Sequence, residues 1–484
     1  MGSKHVIVVG AGAGGLSLAA RLSHRGHRVT VLEQNLEIGG RNRREQVNEC
    51  RFDGGPTLLM MLDPFRKLFR DLGETFEDHV PIVRCDPSYR VFYADRTQID
   101  ACAEPDVMEQ RIRNLANDRD AAQFKPFLAE LGALYEAAIP HFVRKNYGSL
   151  RDFTSPTQLK MVVQHHMLSN LYARVKRRFQ DPRLQMLFSF QTMYLGLSPS
   201  HAPWVYSTLA YMEYGEGIWY PFGGLPAITE AIAKVAQDRG AVIRLGAKVA
   251  SIETGKVTLE SGEKLLADAV VSNADLPYTN RALTKTRNRK SLRYSCSAHL
   301  MYIDYEGELE NLQHHNVFFG ADFDGNLDAL FGRTRKPEDP AFYVCLAKRT
   351  DPSVAPDGHH SLFILVPVPN LDCPLTSDDF ASIEESIFKR LTKEACFDPL
   401  NIRGIKRRGP AQWRDELNLE RGAAFGLSHD LFQSAFMRPQ NVCRDRAGVY
   451  YVGASTVPGN GLPMVLISAE LAEQRLIRDG VISA

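Results

Sequence analysis

No two of the eight cysteines stand in a CxxC spacing: Cys50, Cys85, Cys102, Cys296, Cys345, Cys373, Cys396 and Cys443 are scattered along the chain. That scatter indicates neither a zinc site nor a disulfide framework, so no metal is expected and a reducing cytoplasm fits best. Excess charge is missing too. Lysine and arginine number 58 against 57 aspartates and glutamates, and a net charge of +1 gives no global case for a nucleic-acid partner. Long apolar runs are also lacking: the longest, Val6 to Ala20, is broken by glycines throughout, and no stretch reaches a spanning length free of charge. The start shows no basic segment leading to a small-residue cleavage site, so no cleavable signal is expected. The chain is expected not to cross a membrane, which leaves a place on a membrane surface open.

With 484 residues and 44% hydrophobic content, the chain can bury a large core, and its size implies two or three subdomains. The organising stretch lies near the start. His5-Val6-Ile7-Val8-Val9 reads as a buried parallel strand and Leu16 to Leu22 as a helix, with Gly10, Gly12, Gly14 and Gly15 at the turn between them. In such a turn Gly10 permits the bend, Gly12 lets backbone approach a pyrophosphate, and Gly15 lets helix and strand pack closely. The phosphates then rest on the positive helix N-terminus. A second strand, Arg28 to Leu32, ends on Glu33 with Gln34 behind it. An acid there suits two hydrogen bonds to an adenosine ribose diol and repels a 2′-phosphate.

Gly39-Gly40-Arg41 and then Asp53-Gly54-Gly55-Pro56-Thr57 follow. A Gly-Gly-Arg turn offers close backbone approach plus a guanidinium near phosphates, which suits a long cofactor lying extended across the domain. Asp63 to Gly73 reads as a short helix, Tyr89 to Tyr93 as a strand, and Pro105 to Tyr147 as helical cover. From Phe153 to Met212 there is one acid, Asp181, while Lys160, Arg174, Lys176, Arg177, Arg178 and Arg183 interleave with large apolar residues. That composition describes a helix lying in a membrane interface, or equally a core helix with a solvated basic face.

A strand ending in Gly223-Gly224-Leu225-Pro226, a helix, a strand Val242 to Leu245, a hairpin around Lys256 to Leu259 and an apolar return through Ala269 to Asp275 come next. Strands are expected at Ala298–Ile303, 342–346 and 361–367, and one helix over Ile383 to Leu391. The last signal is Gly448 to Leu466: a strand, a small-residue turn with Gly453-Ala454 and Gly461-Leu462-Pro463-Met464, and a new helix. No second GxGxxG follows a strand, so a site for NAD(P)H is not expected, and electrons should leave to quinone or oxygen.

These motifs resemble flavin-containing amine oxidases and, more closely, carotenoid desaturases of the bacterial and fungal phytoene desaturase type. Gly448 to Leu466 looks like the carotenoid desaturase signature, and Arg438-Pro439-Gln440-Asn441 like the approach to it. The resemblance implies an α/β fold: a Rossmann-like FAD-binding domain with an inserted mixed-sheet substrate domain and a helical subdomain of membrane-associating character. It divides the chain into FAD-binding segments 1–75, 216–290 and 441–484, substrate-domain segments 76–104 and 291–440, and a helical segment 105–215. FAD is the implied cofactor, held by Gly10, Gly12, Gly14, Gly15, Glu33, Gln34, Gly40, Arg41, Gly55, Pro56, Thr57, Gly453, Ala454, Gly461, Leu462, Pro463 and Met464. The resemblance adds the backbone of Val249 at the adenine and Asn273 of the Asn-Ala-Asp turn. That asparagine and Asp275 are equally suited to capping the turn.

The implied activity is FAD-dependent desaturation of a long linear isoprenoid by a peripheral membrane enzyme. Alternatives are desaturation, isomerisation or oxidation of a related C30 or C40 hydrocarbon and, in another class, a non-catalytic isoprenoid carrier on the same fold. Arg151 and Asp152 match the family's Phe-Arg-Asp stretch, which implies charge and proton handling near the flavin. A cap before the helix that starts near Pro156 is an equal reading of Asp152.

Overall fold

The computed structural model describes residues 2–147, 152, 154–288, 292–332 and 336–483. Its centre is a five-stranded parallel sheet in the order Val449–Tyr451, Ala269–Ser272, His5–Val9, Arg28–Leu32 and Val242–Arg244. The strands are short and rich in β-branched residues, and Val6, Ile7 and Val8 are fully buried, as a strand covered on both faces requires. Helices Ala13–His24, Pro226–Asp238 and Leu462–Arg478 pack on one face through Leu16, Leu22, Ile232 and Leu466. The small antiparallel sheet Val249–Glu253, Lys256–Leu259 and Lys264–Leu266 covers the other through Ile252 and Val257.

A second, seven-stranded sheet runs Ile402–Arg408, Ser297–Glu306, His359–Val368, Phe342–Leu346, His315–Phe318, Tyr89–Phe92 and Gln98–Ala101. All its pairings are antiparallel except His315–Phe318 with Tyr89–Phe92, so it is mixed. The helix Ser377–Ala395, closed at its start by a Thr376–Asp379 capping box, covers one face. Ala298, Leu300, Tyr343 and Leu365 on this sheet look instead toward the central cavity.

The segment from 154 to 212 is helical but is not one helix. It is divided into Pro156–Gln164, Leu171–Arg178, Pro182–Leu187 and several 3-10 turns: the chain turns at His166, with φ +50°, and is re-capped by Asn170 before the second helix, and prolines at 182, 199 and 203 supply no N–H to the turns preceding them. Four of its basic residues, Arg174, Lys176, Arg178 and Arg183, pair with acids. Arg174 and Arg178 both pair with Glu130 of the helix Asp118–Ala138, at 2.6 and 2.5 Å, and their guanidinium groups lie over Trp204 and Phe127. Lys176 pairs with Asp324 at 3.4 Å and sits over Tyr172. Acids from distant elements neutralise a patch whose own segment carries only one. No helix among the described residues is long and apolar enough to cross a membrane.

Candidate active site

The turn after His5–Val9 is shaped by two constraints. Gly10 has a φ of +100°, a conformation that side chains rarely adopt, and a Cβ on Gly15 would stand 2.3 Å from the Gly10 carbonyl oxygen. The turn therefore closes tightly and delivers the start of the helix Ala13–His24 into a cavity. That helix has no acid in its first turn, so nothing in its own sequence neutralises the positive end. Glu33, at the end of the neighbouring strand, accepts from the backbone N–H of Ala11 at 2.8 Å and of Asn35 at 2.9 Å.

The cavity has a volume of about 890 Å³. Of the residues expected to hold a cofactor, Gly10, Gly12, Gly14, Glu33, Gln34, Gly40, Arg41, Gly55, Pro56, Thr57, Val249, Asn273, Ala454, Gly461, Leu462, Pro463 and Met464 all line it. Gly15 and Gly453 do not. Gly15 is a packing position, and a Cβ on Gly453 would meet Asn273 Nδ2 at 2.6 Å, so this glycine makes room for Asn273. The Asn273 side chain donates to Val452 O at 3.1 Å and fills the space beside Gly12 and Gly14. The Gln34 side chain is held by the protein: its amide donates to Glu416 O and accepts from Asn418 Nδ2.

A Cβ on Gly40 would find nothing nearer than 3.6 Å and one on Gly461 nothing nearer than 4.0 Å, so both glycines leave open space beside the cavity. Gly461 precedes the helix Leu462–Arg478, whose first turn also lacks acids. Two helix N-termini and the guanidinium of Arg41 thus face one elongated space, a donor set for a dianionic dinucleotide. Arg41 lies 3.9 Å from Asp275, which also accepts from Ser455 and from the backbone of Glu420. Burial pushes the Asp275 carboxyl up and Arg41, Ser455 and the Glu420 amide pull it back.

Arg438 organises the far end. It is fully buried, and its guanidinium donates to Ala454 O at 2.7 Å, Thr456 O at 3.0 Å, Ser428 O at 3.2 Å and Leu427 O at 3.4 Å. Asn441 donates to Tyr451 O at 3.0 Å and Ser468 Oγ at 3.1 Å, fastening the same turn to the last helix.

Beyond Met464 the same cavity continues between apolar walls: Met60, Phe142, Val162, Phe190, Met193, Leu209, Phe319 and Leu327. The tyrosine hydroxyls at 194, 206 and 343 on these walls are engaged by the protein. Tyr194 donates to Glu213 at 2.6 Å, Tyr206 shares a 2.8 Å hydrogen bond with Ser434, and Tyr343 bonds Thr57 at 2.8 Å and His315 at 2.6 Å. Glu213 is buried behind the wall, where it also accepts from Tyr89 and Gln191 at 2.9 Å. Burial raises it to about 7 against the pull of these donors.

Arg151 lies outside the described residues, as does Phe153. Asp152 stands behind the wall: its backbone carbonyl accepts from Lys145 Nζ at 2.9 Å, and Lys145 and Tyr147 line the cavity. Burial first, and the Asp152 charge second, raise the Tyr147 hydroxyl above its ordinary range. The sequence singled out Thr57 but neither Glu213 nor the Tyr343 and His315 that Thr57 meets, because these contacts join distant segments.

The family model for flavin containing amine oxidoreductases matches residues 13–477. The chain belongs to that family. This flavoenzyme is 40% identical to the zeta-carotene-forming phytoene desaturase of Myxococcus xanthus, over 98% of its own length and 94% of the relative's. It is 35% identical to the phytoene desaturase of Neurospora crassa, over 98% and 85% of the two chains. These similarities place it on the carotenoid desaturase branch of the family. Among solved structures, an oxidoreductase from Methanosarcina mazei shares the fold, with a TM-score of 0.64 at 18% identity over 97% of this chain and 100% of that one. FAD is the cofactor of this oxidoreductase, and the glycine-lined half of the cavity has the shape and the donors to receive it.

Proposed function

We propose that the enzyme desaturates a long linear isoprenoid, phytoene or a related carotenoid intermediate. The observation that carries this reading is the joining of a dinucleotide cradle to an apolar chamber in one cavity. When bound, FAD supplies a hydride acceptor at flavin N5. The ends of the helices Ala13–His24 and Leu462–Arg478 and the side chains of Arg41 and Glu33 hold the cofactor at its charged and hydroxylated groups. Phe190, Met193, Phe319 and Leu327 offer no hydrogen bonds, so they bind a polyene by apolar contact and keep water from it. Arg151 and Asp152 are assigned the handling of charge and of the proton lost from the neighbouring carbon. Quinone or oxygen is assigned as the electron acceptor.

The substrate is taken from a membrane surface. Val162, Met167, Leu168, Leu431 and Phe432 line one part of the cavity, and Val163 and Phe432 are 73% and 70% exposed. Exposed apolar side chains beside an apolar chamber suit an entry dipped into lipid. This moves the membrane-facing surface from Leu171–Arg178, whose cations are largely paired, to Pro156–Leu168 and 431–432.

Expression in hosts that accumulate phytoene, diapophytoene or neurosporene, followed by pigment analysis, tests the activity and identifies the chain length. Accumulated pigment carrying additional double bonds in one of the three is the expected result. Unchanged pigment in all three, with folded flavoprotein present, contradicts the reading, and isomerised pigment without added double bonds favours an isomerase.

A further inference from the structure

Behind the Tyr343 wall lies a buried cluster that the desaturation chemistry does not use. Cys85 follows the strand Ile82–Arg84, and His314 and His315 stand at the start of the strand His315–Phe318. The Cys85 sulfur and one ring nitrogen of each histidine all lie within 4.8 Å of one another, and Cys85 Sγ is 3.7 Å from His315 Nε2. All three side chains are buried. Each imidazole is also held from outside: His315 Nδ1 shares a 2.6 Å hydrogen bond with Tyr343, and His314 Nδ1 one of 2.6 Å with Thr350. His314 Nε2 is buried with no hydrogen-bond partner, a costly state for a ring nitrogen.

We propose that Cys85, His314 and His315 bind one thiophilic d10 ion, Zn2+ or Cu+. A thiolate with two imidazoles selects these ions over Mg2+ or Ca2+. Ligands of a tetrahedral zinc, at about 2.3 Å for sulfur and about 2.0 Å for nitrogen, stand about 3.5 Å apart, close to the Cys85–His315 separation. The wider edge of the cluster closes as the ion binds. Hydrogen bonds from the outer ring nitrogens to Tyr343 and Thr350 are the support that metal-bound imidazoles use to fix tautomer and orientation. On binding, the Cys85 S–H bond breaks, a sulfur–metal bond forms and the proton leaves to solvent. Asp351, held by Gly223 N at 2.7 Å and Tyr220 at 3.2 Å, places negative charge near His314 and offsets that of the ion.

The ion would join two pieces of chain far apart in sequence. The segment carrying Cys85 continues a strand paired with Trp219–Pro221, whereas His315 belongs to the seven-stranded sheet and reaches Thr57 through Tyr343. Its role is to brace this wall of the cavity.

The test is elemental analysis of zinc and copper in protein prepared without chelators under reducing conditions, for wild type, Cys85→Ser, His315→Gln and the buried control Cys296→Ser. About one equivalent of one ion is expected in wild type and control, and under about a tenth of that in the two ligand variants. The element found separates zinc from copper. Titration of metal-stripped wild type with Co2+ and, separately, Cu+ gives a second readout that needs no variant to fold. A thiolate-to-cobalt charge-transfer band, or stoichiometric Cu+ uptake, is expected. Wild type that carries neither ion and takes up neither probe overturns the proposal. Folded ligand variants that retain the full metal content overturn it as well, and Cys85 is then a thiol hydrogen-bonded to His315.

Discussion

Glu33 Oε2 accepts the backbone N–H of Ala11 at 2.8 Å, so the acid at the end of the second strand is fixed against the turn that follows the first. Its carboxylate serves the glycine turn and stands in the cavity where a ribose would be read. Replacing Glu33 by Ala is expected to weaken FAD binding by about 1.5–3 kcal/mol, the range for a charged hydrogen-bonding group. Titration of apoprotein at limiting FAD measures it, and unchanged occupancy would remove Glu33 from the cofactor site.

Arg438 holds the turn that enters the last helix. Arg438→Met keeps much of the volume but leaves the carbonyls of Leu427, Ser428, Ala454 and Thr456 without their donor. A loss of about 3–5 kcal/mol is expected from stranding buried polar groups. Urea unfolding of the apoprotein reads it without reference to flavin. A loss below about 1 kcal/mol would show that these carbonyls find other partners.

Glu213 makes stability depend on pH. Its ordinary value is 4.5 and burial raises it to about 7, so between these values the folded protein holds a proton that the unfolded chain has released. Stability contributed by this group is therefore complete below pH 4.5 and is lost as pH rises through 7, amounting to about 3 kcal/mol. Asp53, raised by burial from 3.8 to about 7, acts in the same direction. In Glu213→Gln the fall in stability over this window should shrink by the Glu213 share. Denaturant midpoints at several pH values would show it, and an unchanged slope would contradict the assignment.

The two ends of the cofactor cleft were legible in the sequence because their chemistry is local. A β-branched strand, glycines, a small-residue helix and an acid occur within Val6 to Glu33, and the Gly448 to Leu466 turn is equally compact. Sites assembled from distant residues were not legible. Thr57, His315 and Tyr343 meet only because two sheet strands and a loop converge. The strands His315–Phe318 and Ile402–Arg408 were missed because one is four residues long and opens with His315 and Asn316, and the other carries Arg403, Lys406, Arg407 and Arg408. Arg408 is nonetheless buried, since Glu45 and the Tyr302 hydroxyl receive its guanidinium. The pairing of the basic cluster at 174–178 was hidden for a related reason: Glu130, which receives Arg174 and Arg178, belongs to another helix.

Membrane attachment should follow the apolar side chains more than the basic cluster at 174–178, in which Arg174, Lys176 and Arg178 are paired. Changing Leu159, Val163, Leu168 and Phe432 to serine is expected to release the protein from anionic liposomes, whereas neutralising Arg174, Lys176, Arg177 and Arg178 should have a smaller effect. Each exposed large side chain contributes about 1–2 kcal/mol when buried in lipid, and paired cations contribute less than the free value of about 1 kcal/mol each. Co-sedimentation at low and high salt separates the two surfaces. Release only by the cation variant would return the membrane face to Leu171–Arg178.

The central claim is that the glycine cradle and the apolar chamber work as one site, in which a polyene loses hydrogen to flavin. Anaerobic mixing of FAD-loaded protein with phytoene or zeta-carotene in liposomes, followed by flavin absorbance and product analysis, addresses it directly. Bleaching of the oxidised flavin, with one new carbon–carbon double bond formed for each flavin reduced, is the expected result. Flavin that stays oxidised beside unchanged polyenes, in folded protein shown to bind both, would contradict it.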